Sequence, residues 1–132
     1  REVASATVTR TGVVGESVPL EDRSCDAALI TFTLCTVADP QRVLSEVRRL
    51  LRPGGTLHVL EHGRAPDPGV ARWQGRLDPL QQRLFDGCHL TRDVRETLAS
   101  AGFEFIWSES RFARGPQPWT YLTAGVATSS PG

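Results

Sequence analysis

The first half of the chain contains a predicted helix whose start and end are both indicated by the sequence, between two short strand-like segments. Asp39 can accept hydrogen bonds from the first free amides of this helix as its N-cap, and Pro40 suits the first helical position, where no N–H is needed. Pro53 disfavours helical geometry at Arg52, and the two glycines that follow it supply a turn. The sequence therefore predicts a helix from Pro40 to Arg52.

The segments on either side of this helix predict parallel strands. Asp26–Phe32 is apolar and of strand length, which indicates a buried strand, and Thr56–Glu61 resumes as a strand after the glycine turn. A strand, a helix and a strand in this order form a β-α-β unit with a right-handed crossover, so we expect an α/β fold. Thr7–Val14 predicts a further, weaker strand. One face of the helix is apolar and is expected to pack on the sheet: Val43, Leu44, Val47, Leu50 and Leu51.

A loop and a second helix are expected after Glu61. Arg64–Gly69 contains two prolines and predicts the loop. Pro79 is expected to kink or split the helix that follows. The apolar residues of that helix recur at helical spacing: Val70, Trp73, Leu77, Leu80 and Leu84.

The end of the chain predicts a short helix and a hairpin. Thr91 is expected to cap the helix, and Gly102 to end it. Its predicted buried side consists of Val94, Leu98 and Ala101. Phe103–Trp107 and Trp119–Ala127 predict strands, which a turn through Gly115 and Pro116 would join as an antiparallel pair.

Length and composition limit the class of protein. A chain of 132 residues fits one domain, which we place at residues 1–127, followed by a polar tail at residues 128–132. Fifteen basic and fifteen acidic side chains cancel, which argues against nucleic acid as a partner, and no apolar segment approaches the roughly 20 residues that cross a bilayer. Three widely spaced cysteines and the lack of a secretory signal predict a reducing, cytoplasmic location. Because the chain contains no methionine, we expect Arg1 to be an interior residue of a longer gene product.

Three strand ends are candidate ligand-binding positions. Ligands of open parallel sheets bind at the carboxyl ends of the strands, which are expected here near Val14, Thr31 and Glu61, side by side on one edge. At the first end, Gly15 lets a planar ligand approach the backbone, and Glu16 can accept hydrogen bonds from the edge of an adenine. The same two residues are equally typical of a surface turn.

Several short motifs resemble those of known methyltransferases. Residues 15–26 (GESVPLEDRSCD), 34–40 (LCTVADP) and 47–55 (VRRLLRPGG) resemble the later motifs of class I S-adenosylmethionine-dependent methyltransferases, and among them the ubiquinone and menaquinone biosynthesis superfamily. Residues 77–79 (LDP) and 84–92 (LFDGCHLTR) are similar to the characteristic segment of the thiol methyltransferases. The resemblance extends from Gly15 to Ala127 and implies S-adenosylmethionine as the cofactor.

The resemblance also implies a fold and a cofactor site. It implies a Rossmann-like, mostly parallel sheet in which the strands ending at Thr31 and Glu61 are the fourth and fifth of seven, and the last two strands form an antiparallel hairpin. Five cofactor-binding residues follow, two beside the adenine and three along the methionine arm: Gly15, Glu16, Thr31, Phe32 and Leu34.

This sequence departs from the family pattern in two places, both in the part of the cofactor site that the earlier strands of the sheet would form. Val14 stands where relatives often carry Asp. The glycine-rich loop after the first strand and the ribose-binding acid after the second strand have no counterpart here. We therefore expect the C-terminal part of an enzyme, lacking the first strands of the sheet, or a chain that another polypeptide completes. An unpaired sheet edge would also allow a homo-oligomer.

Methyl transfer requires a nucleophile positioned in line with the sulfonium methyl group, so shape matters more than acid–base groups. The expected acceptor is a small molecule, with a thiol as one candidate because thiols are partly ionised near neutral pH. An oxygen or carbon acceptor would need a general base. The candidate catalytic residues are His62 and Asp86, and the candidate substrate-binding residues are Trp73, Phe85 and His89.

Simpler interpretations exist for these residues. His62 is typical of a polar residue at a loop start, and Asp86 of a turn former before Gly87, and the residues alone favour these interpretations over catalytic roles. Trp73 and Phe85 are also compatible with ordinary packing between a helix and the sheet.

No metal site is predicted. The three cysteines and three histidines form neither a CxxC pair nor an HExxH helix. Two other functions remain compatible with the fold class: a binding or scaffold protein with a truncated methyltransferase fold, and a nicotinamide-dependent dehydrogenase.

Overall fold

The structure is a computed structural model that describes residues 7, 17–85 and 87–129. Its elements are β1 (Cys25–Thr31), α1 (Pro40–Leu50), β2 (Leu51–His62), α2 (Pro68–Leu84), α3 (Val94–Ser100), β3 (Phe103–Phe112), α4 (Gln117–Thr120) and β4 (Tyr121–Ser129). The strands form one sheet in the order β1-β2-β4-β3. The expected strand at Thr7–Val14 lies outside the described residues, apart from Thr7.

The sheet confirms the predicted α/β class. β1 and β2, which precede and follow α1 in the chain, pair in parallel, as expected for a β-α-β unit. β3 and β4 form the predicted antiparallel hairpin, and β4 also pairs antiparallel with β2. The described sheet is therefore mixed, with one parallel and two antiparallel pairs of strands.

Helix α1 begins as predicted and ends earlier than predicted. The Asp39 side chain accepts a hydrogen bond from the Arg42 amide at 3.0 Å, and Pro40 is the first helical residue. Leu51 is already extended and pairs with β1, so the helix ends at Leu50 and not at Arg52. The glycine turn lies inside β2, where the register with β1 is interrupted.

The core lies on one face of the sheet. Its buried members come from both halves of the chain: Ile30, Leu34, Leu44, Leu51, Leu57, Val59, Val94, Leu98, Phe103 and Ala127. The prediction that β1 is a buried strand was wrong for alternate residues, because Ile30 is buried whereas Leu29 is 72% exposed. Successive side chains of a strand point to opposite faces, and only one face of β1 meets the core.

Helix α2 faces the protein with its polar side. The helix begins at Pro68 after an Asp67 cap, so the last two residues of the expected loop are helical, and it continues through Pro79 without being split. Three of the five residues in its predicted apolar stripe are exposed, Trp73 at 57%, Leu80 at 54% and Leu84 at 65%, while Val70 and Leu77 are half-buried. The buried residues of α2 are Gln74, Asp78 and Gln81.

Helix α3 is capped by Asp93, and the predicted cap at Thr91 was wrong. The Asp93 carboxylate accepts hydrogen bonds from the amides of Arg95 and Glu96. A carboxylate at this position also interacts favourably with the positive end of the helix. Gly102 ends the helix as predicted, with a φ of 79° that suits glycine.

Glu46 and Arg49 of α1 hold the segment that precedes β1. The Glu46 carboxylate accepts from the Val18 amide at 2.9 Å, and Arg49 donates to the Leu20 carbonyl and to Asp22. The hydrogen bond from Arg49 lowers the pKa of Glu46 to about 2. The carboxylate of Glu46 in turn raises the pKa of Arg49.

Replacing Gly125 with alanine should lower the free energy of unfolding by about 2 kcal/mol, because an added side chain overpacks the sheet. A Cβ at Gly125 would lie 2.6 Å from a Phe105 ring carbon and 2.7 Å from the Trp107 carbonyl oxygen. Gly75 in α2 provides the control: its Cβ would meet nothing within 4 Å, so Gly75→Ala should add roughly 0.5–1 kcal/mol. Urea denaturation measures both changes, and unchanged stability in Gly125→Ala would contradict this packing.

In residues 17–85 and 87–129, no helix combines the length and the apolar character that crossing a bilayer requires.

Candidate functional site

The carboxyl ends of β1 and β2 lie next to each other on one rim of the sheet. Thr31 is paired with Leu60, and the Phe32 amide donates to the Leu60 carbonyl at 2.9 Å. The predicted juxtaposition of these two strand ends is therefore confirmed. The third predicted strand end, at Val14, lies outside the described residues, as do the candidate cofactor residues Gly15 and Glu16.

Glu61 fixes the loop that leaves β1. Its side chain is fully buried, and its carboxylate accepts hydrogen bonds from the amides of Thr33 (2.8 Å), Leu34 (3.0 Å) and Cys35 (3.4 Å). These bonds turn the loop across the end of β2. Because the carboxylate is engaged by the protein's own backbone, Glu61 acts as an anchor of the rim and does not face a ligand.

Phe32 is the most unusual residue of the rim. Its φ is 48°, in the left-handed region that a bulky residue adopts only when its surroundings hold it there. Its side chain is 43% exposed, and its ring centroid lies 4.8 Å from that of His62 at the end of β2. The strained backbone thus presents an aromatic side chain at the edge where α/β proteins bind ligands.

The other two candidate cofactor residues of this loop differ in position. Thr31 is exposed at the rim. Leu34 is 3% exposed and belongs to the core, and its amide and carbonyl are bonded to Glu61 and Arg92. Thr31 and Phe32 are therefore accessible at the rim, whereas Leu34 is buried beneath the loop.

A second segment, residues 87–92, packs on the same loop. The His89 amide donates to the Cys35 carbonyl at 2.7 Å, and Arg92 Nη1 donates to the carbonyls of Leu34 (2.6 Å) and Val37 (2.7 Å). The candidate substrate residue His89 is thus brought beside the loop that carries Phe32. The sequence indicates none of these three bonds, because their partners lie more than fifty residues apart.

The polar face of α2 holds the loops around the rim. Gln74 accepts from the Ala65 amide and donates to the carbonyls of Gly63 and Pro118. Asp78 accepts from the Leu90 amide at 2.6 Å, and its other oxygen lies 3.4 Å from Nδ1 of His89. The helix therefore positions the segment after β2 and the segment 87–92 at once.

Cys35, His62 and Cys88 come together behind the rim. Their sulfur and imidazole nitrogen atoms all lie within 4.8 Å of one another. The hydrogen bond with Cys88 raises the pKa of Cys35, and burial adds to this effect. The hydrogen bond from Cys35 lowers the pKa of Cys88 to about 7. Spacing along the chain did not indicate this cluster, because each member comes from a different segment.

The remaining candidates are separated from one another. Asp86 lies outside the described residues. Phe85 follows α2 and is 59% exposed, and Trp73, just over three turns earlier, is 57% exposed, with the Arg76 guanidinium 5.7 Å from its ring. A cleft of about 500 Å³ begins at Gly63, directly after His62, and none of the predicted site residues that the structure describes lines it.

The chain is similar to known methyltransferases in sequence and in fold. Residues 2–59 match the family model described as a methyltransferase domain. The chain is 39% identical over 107 residues to thiol S-methyltransferase TMT1B of Rattus norvegicus and 41% identical over 107 residues to TMT1B of Homo sapiens. A crystal structure of a SAM-dependent methyltransferase from Methanosarcina mazei shares the fold, with a TM-score of 0.66 at 19% identity, over 87% of this chain and 64% of that one.

The match covers most of this chain and less than half of its relatives. It includes 80% of the present residues and 42% of each TMT1B protein, so the chain spans about two fifths of the length of those proteins. The family match and the identity to the two thiol methyltransferases point to one assignment, and the solved structure shows the same fold. The chain carries part of a class I S-adenosylmethionine-dependent methyltransferase domain.

Proposed function

We propose that this chain forms part of an enzyme that transfers a methyl group from S-adenosylmethionine to a small thiol. The observation that carries the proposal is the rim, where the adjacent ends of β1 and β2 present Thr31 and the strained Phe32. The thiol is suggested by the names of the relatives, both of which are thiol S-methyltransferases.

The described residues fit one part of the cofactor. A half-exposed aromatic ring beside an exposed Thr31 suits the methionine arm of the cofactor, and the loop that follows Thr31 is preorganised by Glu61. S-adenosylmethionine supplies the electrophilic methyl group. The chain's own residues bind and orient, with Phe32 and Thr31 on the cofactor side and Gly15 and Glu16 as further proposed contacts.

For the methyl acceptor, the shape of the binding site matters more than a group that transfers a proton. A thiol is partly ionised near neutral pH, so a general base would add little, and we assign no proton transfer to His62 or Asp86. His62 and His89 border the loop that carries Phe32. The cleft of about 500 Å³ that starts at Gly63 is large enough for a small acceptor.

Substitution of Phe32 tests the cofactor side of the proposal. In the protein that contains this chain in full, Phe32→Ala should weaken binding of S-adenosylhomocysteine about tenfold, measured by titration calorimetry, because the aromatic contact is lost. Phe112→Ala is the matched control: Phe112 is 37% exposed and packs on Tyr121, but it lies on β3 at the other edge of the sheet. Equal losses in the two variants would contradict a cofactor site at Phe32.

A methyl-transfer assay tests the acceptor. Small thiols should gain a methyl group, while phenols and amines of similar size should not. Methylation of a phenol or an amine alone would overturn the thiol assignment. The absence of any binding to S-adenosylhomocysteine would overturn the enzymatic proposal and favour a scaffold.

A further inference from the structure

Two thiols and an imidazole converge on one point of the protein interior. Cys35 lies in the loop after β1, His62 is the last residue of β2, and Cys88 lies in the turn after α2. Both cysteines are buried and His62 is partly buried. Cys25 is the third cysteine, and it lies apart from this group at the start of β1.

The spacing of the three atoms suits a metal ion. Atoms that all lie within 4.8 Å of one another are at most about 2.8 Å from a common centre. Zinc binds thiolate sulfur at about 2.3 Å and imidazole nitrogen at about 2.0–2.1 Å, so closing the site needs movements of well under 1 Å. We propose that Cys35, His62 and Cys88 bind a zinc ion.

The ligands are held by the backbone before any ion binds. The Cys35 amide donates to Glu61 and its carbonyl accepts from His89, while the Cys88 amide donates to the Phe85 carbonyl at 3.0 Å. Asp78 in turn binds the amide of Leu90, two residues after Cys88. Such outer contacts orient metal ligands and raise affinity, because less order is lost on binding.

The charges around the cluster also favour a cation. The buried carboxylates of Glu61 and Asp78 both act unfavourably on a negative charge at Cys88. Two thiolates there would add to this repulsion, and a divalent ion between them would offset it. The Gln81 side chain is positioned to donate to the Cys88 sulfur and so to support a bound thiolate.

Three protein ligands define the kind of site. Structural zinc sites are commonly closed by four protein ligands, whereas three ligands leave one position for water or another small donor. The Thr36 hydroxyl lies 3.5 Å from the Cys35 sulfur and borders that side of the cluster. We therefore expect a four-coordinate ion with two sulfur ligands, one nitrogen ligand and one exchangeable ligand.

Cobalt substitution tests the proposal by absorption alone. The reduced protein is titrated with Co²⁺ in the absence of S-adenosylmethionine. We expect one equivalent to produce sulfur-to-cobalt charge-transfer bands in the near ultraviolet and strong visible bands of a tetrahedral ion. One equivalent of Zn²⁺ should abolish them. Failure of the bands to form, or their survival in excess Zn²⁺, would overturn the proposal.

Variants assign the ligands. Cys35→Ser and Cys88→Ser should each weaken cobalt binding at least about 100-fold, whereas Cys25→Ser should leave it unchanged within about twofold. His62→Ala removes the partly buried ligand without emptying the core, so it tests the site even where a serine variant unfolds. Cobalt bands that persist in His62→Ala with unchanged affinity, or a Cys35–Cys88 disulfide that forms in place of metal binding, would contradict the site.

Discussion

Replacing Glu61 with alanine should lower the free energy of unfolding by about 3–5 kcal/mol. The substitution removes the acceptor of three amides, those of Thr33, Leu34 and Cys35, and the surrounding protein gives them no replacement. A buried donor without a partner loses its hydration and gains nothing in return. The loop should also move at the rim, so binding of S-adenosylhomocysteine should fall together with stability.

Two further substitutions separate the anchoring role from the loss of volume. Glu61→Gln keeps an oxygen for Thr33 and Leu34 but places an amide group opposite the Cys35 amide, so we expect a smaller loss of about 1–2 kcal/mol. Glu104→Ala removes an exposed carboxylate from β3 and should change stability by less than about 0.5 kcal/mol. Urea denaturation followed by circular dichroism measures all three. A loss below about 1 kcal/mol in Glu61→Ala would show that the loop does not depend on this carboxylate.

The β-α-β unit could be predicted because its signals are local. Asp39 and Pro40 begin α1 through contacts within four residues, and the hydrophobic pattern on either side defines the strands. The predicted end of α1 was less accurate, because Leu51 pairs with β1 and is therefore extended instead of helical. Local preferences therefore define the elements, and contacts with the rest of the sheet decide their limits.

The candidate site could be predicted only in part. The strand ends at Thr31 and Glu61 follow from the topology, since parallel neighbours end on the same edge. The inward role of Glu61 and the meeting of Cys35 with Cys88 depend on contacts between residues 26 to 53 positions apart, which no spacing along the chain reveals. The left-handed backbone of Phe32 also has no sequence signal, because that conformation is uncommon for a bulky residue.

The sequence pattern of α2 does not show which face of the helix is buried. The spacing of its apolar residues correctly predicts a helix, but most of the apolar stripe is exposed and the polar side is buried. Periodicity identifies two faces and says nothing about the atoms each face meets. Here the polar face meets unpaired backbone groups of the neighbouring loops, which only polar side chains can satisfy.

Gln74→Leu is therefore expected to destabilise the protein by about 3 kcal/mol, although it places a more apolar residue at a buried helical position. Gln74 is 1% exposed, and leucine would leave the Ala65 amide and the carbonyls of Gly63 and Pro118 without their partner. Urea denaturation measures the loss, and hydrogen exchange at the Ala65 amide should become faster.

Leu80→Gln, on the outer face of the same helix, is the reciprocal control. Leu80 is 54% exposed, so this substitution should change the free energy of unfolding by less than about 0.5 kcal/mol. The two substitutions exchange the same residue types in opposite directions, so differences in helix propensity nearly cancel between them. If Leu80→Gln destabilises the protein by more than Gln74→Leu does, α2 packs with its apolar stripe inward, and the loops at the rim are held by something other than its polar face.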